Sequence, residues 1–271
     1  MNTTFDPQTL AEDLAEIHRI YAKFFATIDE ASWDKPAKGG PKEWSQHETV
    51  AHLCALHGIG LESIKHALRG EPYTYIGLDN RYQLTAYNRK GIDDHLSIPR
   101  KELFARFLDI HNEAARIARD LRPDQAEVLT RPMPFYNRPL SIVEALGIMT
   151  FHAGIIHTAQ VAEPAGLTPL WVQVSPEIRH RLIGRVMRAL SLLYRSDIGG
   201  SLTATLVFRV DGPGGGEWYV NLSPDVSTSG EGVVDRPSLV IHLRETNVFC
   251  QMITGRFNLR SEEHTSELQS R

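Results

Sequence analysis

The sequence predicts two domains in tandem, an all-α four-helix bundle followed by an α+β domain with an antiparallel sheet. Three observations lead to this prediction. The chain has 271 residues, more than the roughly 100–200 residues of a usual domain. Apolar residues recur at helical spacing through the first 166 residues, and beyond residue 202 apolar and polar residues alternate. We therefore place the bundle at residues 1–166, a linker at 167–174 and the second domain at 175–259.

Four amphipathic helices are predicted in the first domain, at residues 7–29, 45–68, 99–122 and 141–163. Ser45 with Glu48, and Ser141 with Glu144, have the spacing of a capping box, which marks the first turn of a helix. Residues 70–98 are predicted to be a loop with a short helix near residues 82–89. Helices of this length can bury one common core.

The second domain begins with a predicted amphipathic helix at residues 175–195, which Gly199 and Gly200 close. Three segments of alternating polarity follow, at residues 202–210, 216–224 and 238–245. Turn-forming residues separate them, which is typical of half-buried antiparallel strands. A helix and at least three strands make this domain α+β.

Composition excludes several classes of function. A net charge of −4 and a pI near 6.3 give no basic surface of the kind that nucleic-acid-binding proteins carry. No apolar run reaches the ~18–20 residues of a membrane span, so a cytoplasmic protein is expected. Cys54 and Cys250 are the only cysteines, which excludes a disulfide framework, and both are expected to be buried thiols.

Three of the twelve histidines are candidate metal ligands: His52 on the second predicted helix, and His152 and His157 on the fourth. Imidazole binds zinc, copper, nickel or iron, and facing helices of a bundle can bring such side chains together. The alternative is that these residues are buried, hydrogen-bonded histidines without a metal.

The segment from Trp44 to Leu53 resembles the second-helix motif of DinB-like (YfiT-like) four-helix bundles, in which a histidine at the position of His52 is a metal ligand. The fourth helix is similar too. In that family the fourth helix begins with Ser or Thr and has Glu three residues on. Two metal ligands four residues apart come later in the helix, and a Gln follows them. His152 matches the first ligand, while His157 and Gln160 match the end of the motif. The resemblance implies a divalent metal, with zinc or nickel as the first candidates.

The spacing of His152 and His157 departs from that motif, because five residues separate them instead of four. On a regular helix, at about 100° per residue, the two rings would point about 140° apart. A π-turn inserts one residue and restores the helix face downstream. We therefore predict a π-turn between His152 and His157, with coordination left open to water or a thiol.

The remaining histidines have weaker claims to a metal site. His47 and His57 lie five residues from His52 on either side and are expected to point elsewhere. His66, His95 and His111 match no ligand pattern, so solvated or interface roles are expected for them.

Residues 175–259 resemble a sterol carrier protein type of domain. The segments that match the pattern of that family are 218–225, 238–243, 249–252 and 254–258. That family encloses an apolar cavity, which implies a lipid-like ligand. Its pattern then continues with a further strand that is missing here. Residues 260–271 instead match an in-frame translation of a short-read sequencing adapter. We therefore expect them to be an artefact that replaces a lost C-terminus of a truncated domain.

A DinB-like bundle followed by a sterol-carrier-like domain resembles the mycothiol-dependent maleylpyruvate isomerases. The resemblance implies a metal-dependent transferase or isomerase that uses a low-molecular-weight thiol, acts on a small-molecule substrate and forms a homodimer. That family has Glu at the position of His152, so the substrate itself does not transfer. The alternative is a non-catalytic protein whose bundle holds a metal and whose second domain binds a lipid or a partner.

Overall fold

The computed structural model describes residues 3–36, 44–131, 133–256 and 266–270. The chain divides into two units. The first comprises the residues up to Phe135 together with Pro139–Gln173. The second comprises Tyr136–Arg138 together with the residues from Val174 onwards.

The first unit is all-helical, and its helices begin where the sequence supplies caps. Ser45 caps one helix and Ser141 another, each in a complete capping box with the glutamate three residues on. Asp6 caps the first helix by accepting from two backbone N–H groups. In chain order the helices are α1 (Pro7–Thr27), α2 (Gln46–Leu68), α3 (Leu84–Leu96), α4 (Arg100–Asp120), α5 (Pro123–Ala126), α6 (Ile142–Phe151), α7 (Thr158–Ala162) and α8 (Leu170–Gln173).

The prediction of four helices undercounts this unit. Helix α3 has 13 residues and lies where the sequence predicts a loop with one short helix. Its only fully buried residue is Ile92, so it lacks the apolar stripe by which a helix is recognised in sequence. It packs closely on α2, where a Cβ added to Gly91 would lie 3.1 Å from the Ala55 Cβ. Helix α8 occupies part of the segment for which we predict a linker.

The core of the first unit forms where α1, α2, α4 and α6 face one another. Its centre is aliphatic and includes Leu10, Leu14, Ile64 and Leu146, all fully buried. An aromatic group lies beside it, in which the rings of Tyr21 and Phe107 are 4.6 Å apart between centroids. Burial of this apolar surface stabilises the unit and fixes the helices that carry the candidate ligands.

The second unit contains the helix predicted from residue 175 and a sheet. Helix α9 (Pro176–Leu193) is capped by Ser175 and packs on the sheet. Short helices α10 (Ser196–Gly199) and α11 (Thr246–Ile253) flank the strands. The strands are β1 (Ala204–Val210), β2 (Gly216–Leu222), β3 (Thr228–Glu231), β4 (Leu239–Leu243) and β5 (Ser266–Ser270), in the order β3-β2-β1-β4-β5.

The prediction of an antiparallel sheet is wrong for one pair of strands. Strands β1, β2 and β3 pair antiparallel, with Phe208 opposite Trp218, but β4 runs parallel to β1, with Leu206 opposite Leu239. The sheet is therefore mixed. An alternating pattern shows that a segment is a strand but carries no information on its direction, because side chains alternate equally in both cases.

Strand β5 falls within residues 260–271, which we predict to be an adapter artefact. Its backbone pairs antiparallel with β4, with Ile241 opposite Leu268. Residues 257–265 and 271, including the end of the predicted sterol-carrier motif, lie outside the described residues.

Among the described residues, no single helix is long and apolar enough to cross a membrane. The two helical pieces Ile142–Ile156 and Thr158–Ala165 have that length and composition together, but they meet at a bend of 44°. Most of their residues are buried inside the first unit, so their apolar side chains form part of its core.

Candidate metal centre

Helix α2 places His52 in the interior of the first unit. The helix begins at the Ser45 cap, so His52 lies in its second turn, and its side chain is only 3% exposed. The indole of Trp44 packs against its ring, with 4.7 Å between the centroids. The ring is therefore held between the bundle and an aromatic cover.

The fourth predicted helix is interrupted by the π-turn that the histidine spacing predicts. Helix α6 ends at Phe151, the π-turn covers His152–Ile156, and α7 begins at Thr158. The backbone N–H of His157 donates to the carbonyl of His152 at 3.1 Å, a bond between residues five apart. This prediction is confirmed, and the two imidazoles lie on the same side of the helix with 4.5 Å between their centroids.

Tyr21 supports this turn from α1. Its hydroxyl donates to the carbonyl of Ala153, inside the π-turn, at 3.0 Å. Both groups are buried, and a π-turn disturbs the regular hydrogen-bond ladder of a helix. A donor from another helix therefore stabilises a carbonyl at the point where the ladder is irregular.

We expect Tyr21→Phe to lower the free energy of unfolding by about 1–3 kcal/mol, because the variant keeps the ring but leaves a buried carbonyl without its donor. Urea denaturation followed by circular dichroism measures the change. Tyr82→Phe is the matched control, since Tyr82 is 81% exposed and little change is expected there. Equal loss in the two variants would contradict a specific role for Tyr21.

The structure brings His52, His152 and His157 together. One ring nitrogen from each lies within 4.8 Å of the others, and the facing Nε2 atoms of His152 and His157 are 3.1 Å apart. Two nitrogen ligands of a tetrahedral zinc ion, each about 2.0–2.1 Å from the metal, are about 3.3 Å from one another. The closest pair therefore has a spacing suited to one ion.

Burial favours the neutral form of His52 and His152. It lowers the pKa of His52 well below its ordinary value, and the nearby His157 lowers it further. Burial has the same effect on the pKa of His152, with neighbouring histidines adding to it. A neutral imidazole has a free lone pair on one nitrogen, and that form binds a metal.

Hydrogen bonds orient the rings. Nδ1–H of His157 donates to the side-chain oxygen of Gln160, three residues on, which leaves its Nε2 as the lone-pair atom that faces His152. Among the described residues, Nδ1 of His52 has no hydrogen-bond partner although it is buried. A buried polar atom without a partner is costly, and coordination would satisfy it. The donor set thus fits a divalent metal of the zinc type.

The prediction that His57 points away from the site is wrong. Its Nε2 lies 3.0 Å from Nδ1 of His152, so it contacts a candidate ligand directly. The solvated or interface role expected for His111 is also wrong: it is fully buried, with its ring centroid 5.0 Å from that of His57. Burial lowers the pKa of His111 to about 4.

The burial of both residues has a signal in the sequence. His57 continues the apolar stripe that runs through Val50, Leu53, Leu61 and Ile64 on α2, all of which are buried. His111 lies in the corresponding stripe of α4, between Phe107 and Ala114 in the chain. A histidine at a core position of an amphipathic helix is expected to be buried.

Among the remaining histidines of the first half, His18 lies near His111 and lowers the pKa of His111 further. The other three have contacts of their own. His47 points elsewhere, as predicted, with its Nδ1 4.0 Å from an Asp34 carboxylate oxygen. His66 and His95 are partly exposed, and each contacts a backbone carbonyl, of Pro72 and Gly91 respectively. Both cysteines are buried, as predicted.

Comparisons with known proteins show a likeness of fold. No protein-family model matches the chain, and no curated protein matches it by sequence. The crystal structure of the mycothiol-dependent maleylpyruvate isomerase is similar to it, with a TM-score of 0.60 and 14% identity over 99% of this chain and 96% of that one. A variant of that enzyme with one histidine replaced by alanine is similar to the same degree. The chain has the DinB-like fold of that isomerase, as the sequence motifs imply.

Proposed function

We propose that this protein is a metal-dependent enzyme that uses a low-molecular-weight thiol in a transfer or isomerisation reaction. The observation that carries the proposal is the convergence of three imidazoles at the π-turn, two of them buried (His52 and His157) and one half-buried (His152). Three histidine nitrogens leave one position of a tetrahedral ion open, which is the donor set of catalytic rather than closed structural zinc sites.

In this proposal His52, His152 and His157 hold the metal. A bound divalent ion lowers the pKa of a coordinated thiol and so makes a thiolate available at neutral pH. The protein's own residues supply the environment. Burial favours the neutral form of His52 and His152, Gln160 fixes the orientation of His157, and Trp44 covers His52.

The thiol is expected to come from outside the chain. Cys54 and Cys250 are the only cysteines, and burial raises the pKa of each to about 12. A thiol with so high a pKa is almost entirely protonated at neutral pH and is a poor nucleophile. A small diffusible thiol that reaches the metal avoids this limit.

A cavity in the first unit has room for a small molecule. It measures about 520 Å³ and lies among α2, α3 and α4, with His52, Lys90 and Arg106 contributing to its lining. This volume is within the roughly 300–1,000 Å³ of small-molecule sites. Its lining carries two cations, Lys90 and Arg106, and two carboxylates, Asp94 and Asp109. Lys90 pairs with Asp94 and Arg106 with Glu102, so the lining favours neither sign of charge in a substrate.

The likeness of fold to a mycothiol-dependent isomerase supports the same class of reaction. At 14% identity it does not identify the substrate or the thiol of this chain. The identity of the metal as zinc or nickel, the sterol-carrier resemblance of the second unit, its lipid-like ligand and the homodimer stay predictions. A non-catalytic, metal-holding protein is the competing function.

Metal analysis of the purified protein tests the proposal. We expect one divalent ion per chain in the wild type and in His66→Ala, whose partly exposed histidine lies on the same helix, α2. We expect no bound ion in His52→Ala, because the site loses one of three ligands. A metal-free wild type, after incubation with zinc or nickel and dialysis, would contradict the metal site.

Thiol transfer to a generic electrophile then separates the two functions. With mycothiol or glutathione as donor, we expect turnover by the metal-loaded wild type and loss of turnover in His52→Ala. Bound metal without any turnover would favour the non-catalytic function. Turnover that survives His52→Ala would remove the proposed mechanism.

A further inference from the structure

Beyond the three candidate ligands, a row of buried histidines extends from the site into the bundle. His152 contacts His57 through ring nitrogens 3.0 Å apart, and the rings of His57 and His111 are 5.0 Å apart between centroids. The hydrogen-bonded pair His57–His152 has nearly the same centroid separation, 5.2 Å. Rings at this separation can be joined by a hydrogen bond when their nitrogens face each other, as those of His57 and His152 do.

The far end of this row has a fixed tautomer. Nδ1 of His111 lies 3.0 Å from the carbonyl oxygen of Phe107. A carbonyl only accepts, so Nδ1 of His111 carries the hydrogen and Nε2 has the lone pair. That Nε2 is buried and has no hydrogen-bond partner among the described residues, and the same is true of Nδ1 of His57. Two buried nitrogens on neighbouring rings thus lack a partner, and the one on His111 is an acceptor.

At the other end of the row, next to His157, the hydrogen bonds fix which nitrogens carry hydrogens in the metal-free protein. Nε2 of His157 has the lone pair, since its Nδ1–H donates to Gln160. Nε2 of His152 lies 3.1 Å away and can donate to it only if it carries the hydrogen. Nδ1 of His152 is then an acceptor, so His57 must donate to it from Nε2. Nδ1 of His57 is left as a second acceptor beside His111.

A metal at the site reverses this arrangement, because both facing Nε2 atoms must then present lone pairs. His152 must carry its hydrogen on Nδ1 and donate to Nε2 of His57. His57 then carries its hydrogen on Nδ1, where it meets the lone pair of His111. The atom of His57 that has no partner in the first arrangement gains one in the second.

We propose that His57 and His111 form a positioning relay whose tautomers switch when the site takes up a metal, an inference that rests on the proposed metal site. The protons balance: the hydrogen shared by His57 and His152 crosses from Nε2 of His57 to Nδ1 of His152. His152 releases its Nε2 proton to water, and Nδ1 of His57 takes one proton from water. The number of bound protons on the two rings is unchanged.

The relay gives His57 a role in metal affinity without contact to the metal. Groups that hydrogen-bond to the second nitrogen of a ligating histidine set its tautomer, and their loss usually costs about 10–100-fold in affinity. We expect His57→Phe to weaken zinc binding by about this factor, and His57→Gln, whose amide can accept the same hydrogen bond, to retain most of it.

Imidazole ¹⁵N spectra of the wild type test the switch directly. We expect His57 and His152 to change from Nε2–H to Nδ1–H when zinc is added, while His111 stays Nδ1–H in both states as an internal control. Zinc binding with an unchanged His57 tautomer would overturn the relay alone. Failure of the wild type to bind zinc at all would overturn the metal site and the relay together.

Competition titration with a zinc chelator gives the second readout. Loss of affinity in His57→Phe with retention in His57→Gln supports the relay. Both variants are first compared with the wild type in thermal unfolding without metal, so that a folding defect is recognised. Wild-type affinity in a natively folded His57→Phe would overturn the positioning role.

Discussion

Inserting one alanine between Ile155 and Ile156 is expected to abolish metal binding, whereas deleting Gly154 is expected to preserve it. The site depends on helical phase, since the π-turn brings His152 and His157 to one side although five residues separate them. Deletion restores a spacing of four, at which residues of a regular helix share a face. Insertion turns everything downstream by a further ~100°.

The affinity for zinc measures this difference. We expect the insertion to weaken zinc binding by more than about 100-fold. That is more than the loss of a residue that only hydrogen-bonds to a ligand usually costs. We expect the deletion to change the affinity by no more than about tenfold. Circular dichroism melts of both variants show whether α6 and α7 are still folded. If both variants fold and bind zinc equally, the convergence of the two rings does not depend on the π-turn.

Acidification from pH 6.5 to pH 4 is expected to lower the free energy of unfolding of the metal-free protein by about 3 kcal/mol through His111 alone. Burial lowers its pKa from 6.5 to about 4 in the folded state. Below pH 6.5 the unfolded chain takes up a proton that the folded protein does not. The free energy of unfolding therefore decreases as the pH decreases, by 1.36 kcal/mol per pH unit at most. The loss levels off near pH 4. Burial shifts the pKa of His52, His57 and His152 in the same direction.

Urea denaturation across this pH range measures the loss. His111→Asn is the matched variant, because its amide can still donate to the carbonyl of Phe107 but does not titrate. We expect a shallower fall of stability for that variant between pH 6.5 and pH 4. An unchanged slope would show that His111 does not contribute to the acid sensitivity.

The parts of the site that follow from local sequence were predictable. Capping boxes at Ser45 and Ser141 depend on residues three apart, and both are found in the structure. The π-turn also followed from a local count, since His152 and His157 can share a face only with one inserted residue. Family resemblance was needed to select His52 as their partner, because no local rule joins residues one hundred apart.

What the sequence did not reveal depends on tertiary contacts. The apolar stripes of α2 and α4 indicate that His57 and His111 are buried, but the contact of His57 with His152 depends on how the helices pack. Helix α3 lacks such a stripe because it buries little more than Ile92. The direction of β4 relative to its neighbour depends on which strand it pairs with. Side chains alternate in the same way in parallel and antiparallel strands, so the sequence pattern does not show the direction.

The separation of His52 and His152 along the chain has a thermodynamic consequence. An ion held by both joins helices that are about one hundred residues apart in the chain, and it can do so only in the folded protein, because the unfolded chain does not hold the ligands together. A metal ion that binds only the folded chain stabilises it by mass action, and the stabilisation increases with the concentration of free metal. The melting temperature of the first unit thereby becomes a readout of how much metal surrounds the protein.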